Sequence, residues 1–436
     1  MRYCLIPAFA AAFVLKFSAS ATDFAIHDGD RVVFLGDSIT EQRLYTTYIE
    51  AYALTRYPSW TLSFRNVGWG GDTSWLRQRA HPDEGRLFAA EGSTLDQLVE
   101  DSVGRGLARD VLPLHPTFVT VKFGMNDHSY QTFRPDIFRT YVRSQTEISK
   151  VLQAHQSRVT FLTPQPIEER RADPDKDVRN ESLRKFSDGL KDVASKTGAG
   201  FVDQFDPYLG IMLSERARDG KAFIGGGDAI HPGPPGQTLM AWAVLKGLGA
   251  SAIVSSATID AASKTASTAQ CRVEKVESND GTISFDRTDD SLPWPIDKAA
   301  EPALKLAPVL DDLSWYDLKV TGLKEGSYTV SIDGEAAGTL TATELRKGWN
   351  LSNAPGPITQ QARELLSHVF EKNNLYFSRW RNVQLQTFPS WVTGPELEAR
   401  RDAELKRLDD LIAKQEAEIN ALRKSKTHHF EIKPVK

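Results

Sequence analysis

Residues 31–40 read Arg31-Val32-Val33-Phe34-Leu35-Gly36-Asp37-Ser38-Ile39-Thr40. The run to Leu35 is short, β-branched and aromatic, which predicts a strand that stops at the Gly36-Asp37 turn. A serine just past a strand end sits at the carboxyl edge of its sheet, with its hydroxyl free to face a cleft. A helix expected to begin near Glu41 would aim its amide dipoles back at this corner and favour an anionic transition state there. Gly-Asp-Ser alone is more often an ordinary turn or helix cap. The rest of the chain decides between the two.

Outward from this corner, short apolar runs alternate with amphipathic ones. Leu62–Val67, Thr117–Phe123 and Arg158–Thr163 have strand composition, while Ile137–His155, Val178–Lys196 and Gln237–Leu248 have helical periodicity. Strands separated by helices imply right-handed crossovers and a mainly parallel sheet covered on both faces. In such α/β sheets, ligand chemistry gathers at the carboxyl ends of the strands.

Three further segments carry chemistry. Asp228-Ala229-Ile230-His231-Pro232 lies between Gly225-Gly226-Gly227 and Gly233-Pro234-Pro235, so it is a shaped loop. A neutral imidazole can take a proton from a hydroxyl near pH 7, and a carboxylate on its other nitrogen fixes the tautomer and stabilises the cation. Asp228 reaches His231 if the loop turns tightly. Asn66-Val-Gly68-Trp69-Gly70-Gly71-Asp72-Thr73 follows the second strand, and its glycines allow close approach of backbone N–H groups to a substrate. Gly124-Met-Asn126-Asp127 ends the third strand and puts Asn126 at the same edge. Each segment alone has a commoner structural explanation: a glycine turn, a capping Asn, or a structural Asp–His pair.

Together, in this order, the four blocks resemble the SGNH (GDSL-type) hydrolase superfamily over roughly residues 30–250. The resemblance implies a three-layer α/β sandwich with a mainly parallel five-stranded sheet, flavodoxin-like in plan. Carried over residue by residue, it implies Ser38 as nucleophile, His231 as general base and Asp228 as its orienting carboxylate. The oxyanion hole would be the Ser38 N–H, the Gly71 N–H and the Asn126 side chain. Gly71 is chosen because it immediately precedes Asp72-Thr73, with Gly70 as the alternative. Ile39 stands where the name-giving pattern has Leu, a swap of similar volume. No Gly-x-Ser-x-Gly elbow, Walker loop, Gly-x-Gly-x-x-Gly or His-Glu-x-x-His pattern is present, so no metal and no cofactor are expected.

Composition bounds the remainder. At 40% hydrophobic and 25% charged residues, the 436-residue chain has the composition of a soluble globular protein. A formal net charge of -4 offers no basic footprint for nucleic acid. Arg2, the apolar run Leu5–Phe17 and Ala19-Ser20-Ala21 read as a cleaved export signal over residues 1–21, so the mature protein is expected to be secreted or periplasmic. Cys271 would then be the remaining cysteine, which leaves no intramolecular disulfide. No second run of transmembrane length follows.

The expected organisation is a hydrolase domain over 22–250, a linker and β-rich accessory module over 251–355, and a helical region over 356–436. Ser255–Gln270, rich in Ser, Ala and Thr, reads as the linker. Asn279-Asp280-Gly281 and Asp333-Gly334 mark hairpin turns in the β-rich module. In 396–422, Leu405, Leu408, Leu411, Ile412, Ile419 and Leu422 form an apolar stripe. A helix docked on its own domain is the plainer expectation, and a coiled coil making a homo-oligomer is the other.

For substrate, Trp69 and Trp75 flank the glycines and His128 follows Asn126, a placement that suits stacking on a sugar ring. The leading expectation is a carbohydrate esterase removing acetyl groups from an acylated carbohydrate or other small ester. A lipid or lysophospholipid esterase would want a long apolar groove, and no apolar insertion adjoins the blocks. A non-catalytic glycan-binding or assembly protein on the same fold would have no need of Ser38, Asp228 and His231.

Overall fold

In the computed structural model, which describes residues 24–170, 173–392 and 394–435, Arg31–Gly36 form strand β1, buried at every position but the first. The leader expected over residues 1–21 lies outside the described residues. After β1 come α1 (Ser38–Glu41), α2 (Leu44–Arg56), β2 (Ser63–Asn66), α3 (Arg77–Ala80), α4 (Glu84–Ala89) and α5 (Gly92–Asp110). Then follow β3 (Phe118–Lys122), α6 (Pro135–Ala154), β4 (Arg158–Leu162), α7 (Val178–Thr197), β5 (Gly200–Val202), α8 (Phe205–Arg218) and α9 (Pro234–Gly247). The five strands pair in parallel in the order β2-β1-β3-β4-β5.

Alternation along β1 builds the three layers. Val32 and Phe34 enter one core with Tyr45 and Tyr48 of α2 and Leu239 and Val244 of α9. Val33 and Leu35 enter the opposite core with Val99 and Val103 of α5 and Ile148 of α6. Successive side chains of a strand point to opposite faces, so these two clusters are the two sides of one sheet. Strand order reverses between β1 and β3, which makes their carboxyl ends the switch point where ligands bind in such sheets.

Two local features differ from the sequence reading. The helix expected near Glu41 is a single turn that begins on Ser38, capped by Asp37, whose carboxylate accepts the Ile39 N–H at 3.0 Å. Arg43 then takes a left-handed backbone, φ 62°, before α2 starts. Strand β5, three residues long, was not legible because it is too short to show a period.

The second half forms two further sheets. Its elements are β6 (Ile253–Asp260), β7 (Thr265–Ala269), β8 (Cys271–Asn279), β9 (Thr282–Asp289), α10 (Val309–Leu313), β10 (Trp315–Thr321) and β11 (Ser327–Ile332). They continue with β12 (Glu335–Thr341), α11 (Ala342–Lys347), β13 (Trp349–Asn350), α12 (Pro357–Phe377), α13 (Pro395–Leu422) and β14 (Thr427–Pro434). Sheets β13-β10-β6-β7 and β12-β11-β14-β9-β8 share one core, in which Ile259, Leu318 and Val320 meet Phe285, Val330 and Phe430.

Two boundaries are corrected. The linker expected at Ser255–Gln270 is the hairpin of β6 and β7. All five residues of β7 are exposed on an edge strand, so no apolar alternation betrays it. The region expected to be helical from 356 to 436 ends in β14, which lies inside the second sheet between β11 and β9 and buries Phe430 and Ile432. That region packs against the hydrolase domain, in line with the docked-helix expectation. Leu365, Leu366 and Val369 of α12 and Ile419 of α13 lie in the core of Tyr45 and Tyr48. Lys372 forms a buried ion pair with Glu50, and Asn373 donates to Thr47 Oγ1 and Glu50 Oε2, both at 2.9 Å. Within the α13 stripe, Leu408, Ile412 and Ile419 are buried in this same chain. Among the described residues no helix is long and apolar enough to cross a membrane.

Candidate active site

Sheet register brings the blocks together. Gly36 of β1 pairs with Lys122 of β3, so Ser38 and Gly124 each leave the sheet two residues beyond neighbouring strand ends. Phe34 pairs with Asn66 of β2, which starts the glycine segment on the other side. Gly36 is obligatory at this crowded corner. A Cβ there would lie 2.3 Å from Thr40 Oγ1 and 2.7 Å from the Lys122 carbonyl oxygen. Asn66 Nδ2 donates to the Thr40 carbonyl at 2.7 Å and to Thr46 Oγ1 at 2.9 Å, tying the glycine segment to the turn that carries Ser38.

Ser38 Oγ lies 2.9 Å from His231 Nε2, and His231 Nδ1 lies 3.1 Å from Asp228 Oδ2. The carboxylate on Nδ1 makes that nitrogen the donor and leaves Nε2 to accept the Ser38 proton. Asp228 also accepts the backbone N–H groups of Ile230 at 2.8 Å and His231 at 2.7 Å through Oδ1, which closes the tight turn the reach requires. Partial burial acts to raise the Asp228 carboxyl, but these two N–H groups and the imidazole outweigh it and hold it below the usual carboxylate value. It stays ionised at neutral pH. At 67% and 33% side-chain exposure, Asp228 and His231 stand at an open surface, not inside a tunnel.

The loop that carries His231 is held from beneath. Glu168 accepts the Ile224 and Gly225 N–H groups at 2.7 and 2.8 Å, and Gln165 Nε2 donates to the Ile230 carbonyl at 2.9 Å. Gln237 Nε2 donates to the Pro232 carbonyl at 2.9 Å while its Oε1 accepts the Tyr45 N–H, linking the His231 loop to α2. Sequence reading missed Gln165, Glu168 and Gln237. They lie in no motif, and only the fold puts them under the loop.

N–H groups of the other blocks lie at the same corner. Ser38 occupies the first position of α1, where a helix leaves its N–H groups without intrahelical partners. The Asp72 N–H donates to the Trp69 carbonyl at 3.0 Å, closing a turn whose third residue, Gly71, has φ 76°, a value that type II turns reserve for glycine. A Cβ on Gly70 would stand 4.0 Å from Ser38 Cβ, so the peptide joining Gly70 to Gly71 starts beside Ser38. Asn126 Nδ2 donates one hydrogen to the Asp72 carbonyl at 2.9 Å and retains a second. Asp72 is itself anchored by the fully buried Arg79, which bridges it to Asp110 at 2.8 Å on each side.

Three expected substrate contacts are corrected. Trp75 is 1% exposed, edge-on to Phe88, with Nε1 donating to Glu84 at 2.8 Å. Trp69 is 8% exposed, and the Arg381 guanidinium covers its ring at 3.4 Å. His128 is buried between Tyr130 and Phe186, and burial, reinforced by the Arg179 charge, drives its imidazole down to about 4, so it is neutral in the core. The aromatic that faces outward is Tyr130, whose hydroxyl donates to Asn126 Oδ1 at 2.9 Å.

Residues 34–239 match the model of the GDSL-like lipase/acylhydrolase family. Among solved structures, a gut microbial diltiazem-metabolizing enzyme superposes with a TM-score of 0.74 at 24% identity, over 94% of this chain and 98% of that one. At that identity the likeness is one of fold, and it runs through both halves. An acetylxylan esterase from Geobacillus stearothermophilus matches 52% of this chain and 96% of its own, at 20% identity and a TM-score of 0.39. An alpha/beta hydrolase from the metagenome of Lake Arreo, Spain, matches 52% of this chain and 98% of its own, at 22% identity and a TM-score of 0.38. Neither likeness is strong enough to carry a conclusion. Comparison with curated protein sequences gave no match.

Proposed function

We propose that the protein, whose residues 34–239 match the GDSL-like lipase/acylhydrolase family model, hydrolyses acyl esters, chiefly acetyl, on the hydroxyls of a carbohydrate. The observation that carries this reading is the continuous bonding of Ser38 to His231 to Asp228 at an open surface. Ser38 Oγ attacks the ester carbonyl carbon as its proton passes to His231 Nε2. The carbonyl oxygen, now negative, is held by the Ser38 and Gly71 N–H groups and by the second Nδ2 hydrogen of Asn126. His231 then protonates the departing sugar oxygen, which leaves an acyl-serine. Water, deprotonated by the same nitrogen, attacks that ester, and the proton returns to Ser38 as the carboxylic acid departs.

Support for a sugar over a lipid comes from the rim. Glu41, Gln42, Arg77, Gln78 and Asp228 are polar and at least partly exposed around the corner, and the exposed aromatic beside them, Tyr130, directs its hydroxyl to Asn126 Oδ1. A long acyl chain laid over such groups would strip them of water without replacing their hydrogen bonds. Export through the leader over residues 1–21 belongs to the same proposal, since it would bring the enzyme to cell-wall and extracellular polysaccharides. The test is acetate release from a panel of acetylated polysaccharides, alongside nitrophenyl esters from acetate to long acyl chains. Preference for acetyl esters and release from at least one polysaccharide is expected. A preference for long chains with no acetate from any glycan would overturn the sugar reading.

A further inference from the structure

The segment Ser378–Gln384 continues α12 as a π-helical turn, a geometry that recurs at functional sites. It sends Arg381 out of the C-terminal half to the nucleophile corner. Glu41, one turn along from Ser38, fills the space that Gly70 leaves by having no side chain. The point where a Gly70 Cβ would stand is 2.7 Å from Glu41 Oε2 and 4.0 Å from Ser38 Cβ. Arg381 Nε faces Glu41 Oε1 at 3.7 Å, and the guanidinium rests on the Trp69 ring at 3.4 Å.

From this arrangement, and resting on the carbohydrate reading above, we infer that Glu41 and Arg381 form the subsite that holds the sugar beside the scissile ester. The C-terminal half therefore supplies a specificity-determining residue to the site.

Three features support the assignment. First, the two ion pairs of Arg79 close to 2.8 Å with their side chains wholly excluded from solvent. The Glu41–Arg381 contact is longer than a hydrogen bond, and its side chains keep 24% and 26% exposure. It faces water and is not clamped shut. Second, a carboxylate only accepts and a guanidinium only donates, whereas a sugar hydroxyl does both. Adjacent hydroxyls can donate to Glu41 and accept from Arg381 at once, while an acyl chain can do neither. Third, Arg381 is pre-oriented. The Trp69 face fixes the guanidinium plane by cation–π contact, which reduces the ordering cost of binding. Trp69 thus serves the sugar through Arg381 and does not stack on it.

The experiment compares kcat/KM for mono-O-acetylated methyl glycosides with that for 4-nitrophenyl acetate, in the full chain and in Arg381→Ala, Arg381→Lys and Glu41→Gln. The ratio of sugar ester to nitrophenyl ester is expected to fall ~10–100-fold in Arg381→Ala and Glu41→Gln, mainly through KM, the scale of one lost charge-assisted hydrogen bond. Arg381→Lys should recover part of it. Thermal melting identifies any variant that fails to fold, and Arg381→Lys and Glu41→Gln then carry the comparison. An unchanged ratio, whether both activities fall together or neither moves, assigns the pair to bracing and overturns the inference. A wild-type protein that cleaves nitrophenyl acetate but no acetylated sugar overturns the carbohydrate reading itself, and this inference with it.

Discussion

The Tyr130 hydroxyl donates to Asn126 Oδ1 at 2.9 Å, so the Asn126 amide cannot flip without losing a bond at each end: Tyr130 on the oxygen, the Asp72 carbonyl on the nitrogen. Tyr130 and the preceding Ser129 both hold left-handed backbones, at φ 55° and 56°. Such conformations cost non-glycine residues on the order of 1–3 kcal/mol each, and they persist where the surroundings fix them. Burial, with Asp37 nearby, drives the Tyr130 phenol up to about 12, so it remains a donor throughout the neutral range. Asn126→Ala should lower kcat for a short-chain ester ~10²–10³-fold with little change in KM, the effect of removing one oxyanion donor. Tyr130→Phe should cost less, about tenfold, because Asn126 stays but is no longer held from both ends. If steady-state kinetics show Asn126→Ala acting on KM alone, Asn126 binds substrate without stabilising the oxyanion.

Ser38→Ala and His231→Ala should each reduce kcat/KM on 4-nitrophenyl acetate by ~10⁴-fold or more, and the double variant by little beyond either one, since the groups act as a unit. Circular dichroism should show the fold intact. Substantial turnover by a folded His231→Ala protein would remove His231 from the role of base.

Asp228→Asn should retain backbone bonding through its side-chain oxygen while losing the negative charge beside Nδ1. A loss of ~10²–10⁴-fold in kcat is expected, with thermal stability near that of the wild type. A large fall in melting temperature with kcat preserved would make Asp228 a turn-former only.

Trp75→Ala should destabilise the protein by ~3–5 kcal/mol, because it empties a core site against Phe88. Below its melting temperature, the ratio of sugar-ester to nitrophenyl-ester turnover should match that of the wild type. A shifted ratio would restore Trp75 to the substrate site that its sequence position suggests.

Asp127 supplies a pH prediction. Its carboxylate accepts the Ser74 and Gly124 N–H groups at 2.8 and 2.9 Å, yet complete burial pushes it up from 3.8 to about 6. In that interval the folded chain holds a proton that the unfolded chain has released, so stability falls as pH rises through it. Asp127→Asn lacks this titration. Chemical denaturation from pH 4 to pH 6 should show the wild type losing on the order of 1–3 kcal/mol relative to the variant. A wild-type curve that gains on the variant over the same range would reverse the assigned direction.

Much of the first half was legible because its signals are local. Val32–Leu35 is a strand by composition, Gly36 is the residue that the crowded turn permits, and Asp228 reaches His231 through a three-residue turn. That Ser38 and His231 meet at 2.9 Å is not local. The resemblance of the four blocks to the SGNH superfamily implied it, and side-chain packing completed it.

What the sequence by itself determined is the order of chemistry along the chain and the kind of sheet that gathers it, because residue type and period act over a few positions. Tertiary structure alone decided which neighbours matter. Trp75 and His128 look like site residues by position, yet they turn inward, since burial depends on what packs over a residue. Arg381, 343 positions from Ser38, carries no motif and reaches Glu41 only because α12 lies against α2. Thr427–Pro434 likewise becomes an interior strand because β9 and β11 offer it paired edges on both sides. Contacts across such separations depend on the whole packed chain, and no short window of residues encodes them.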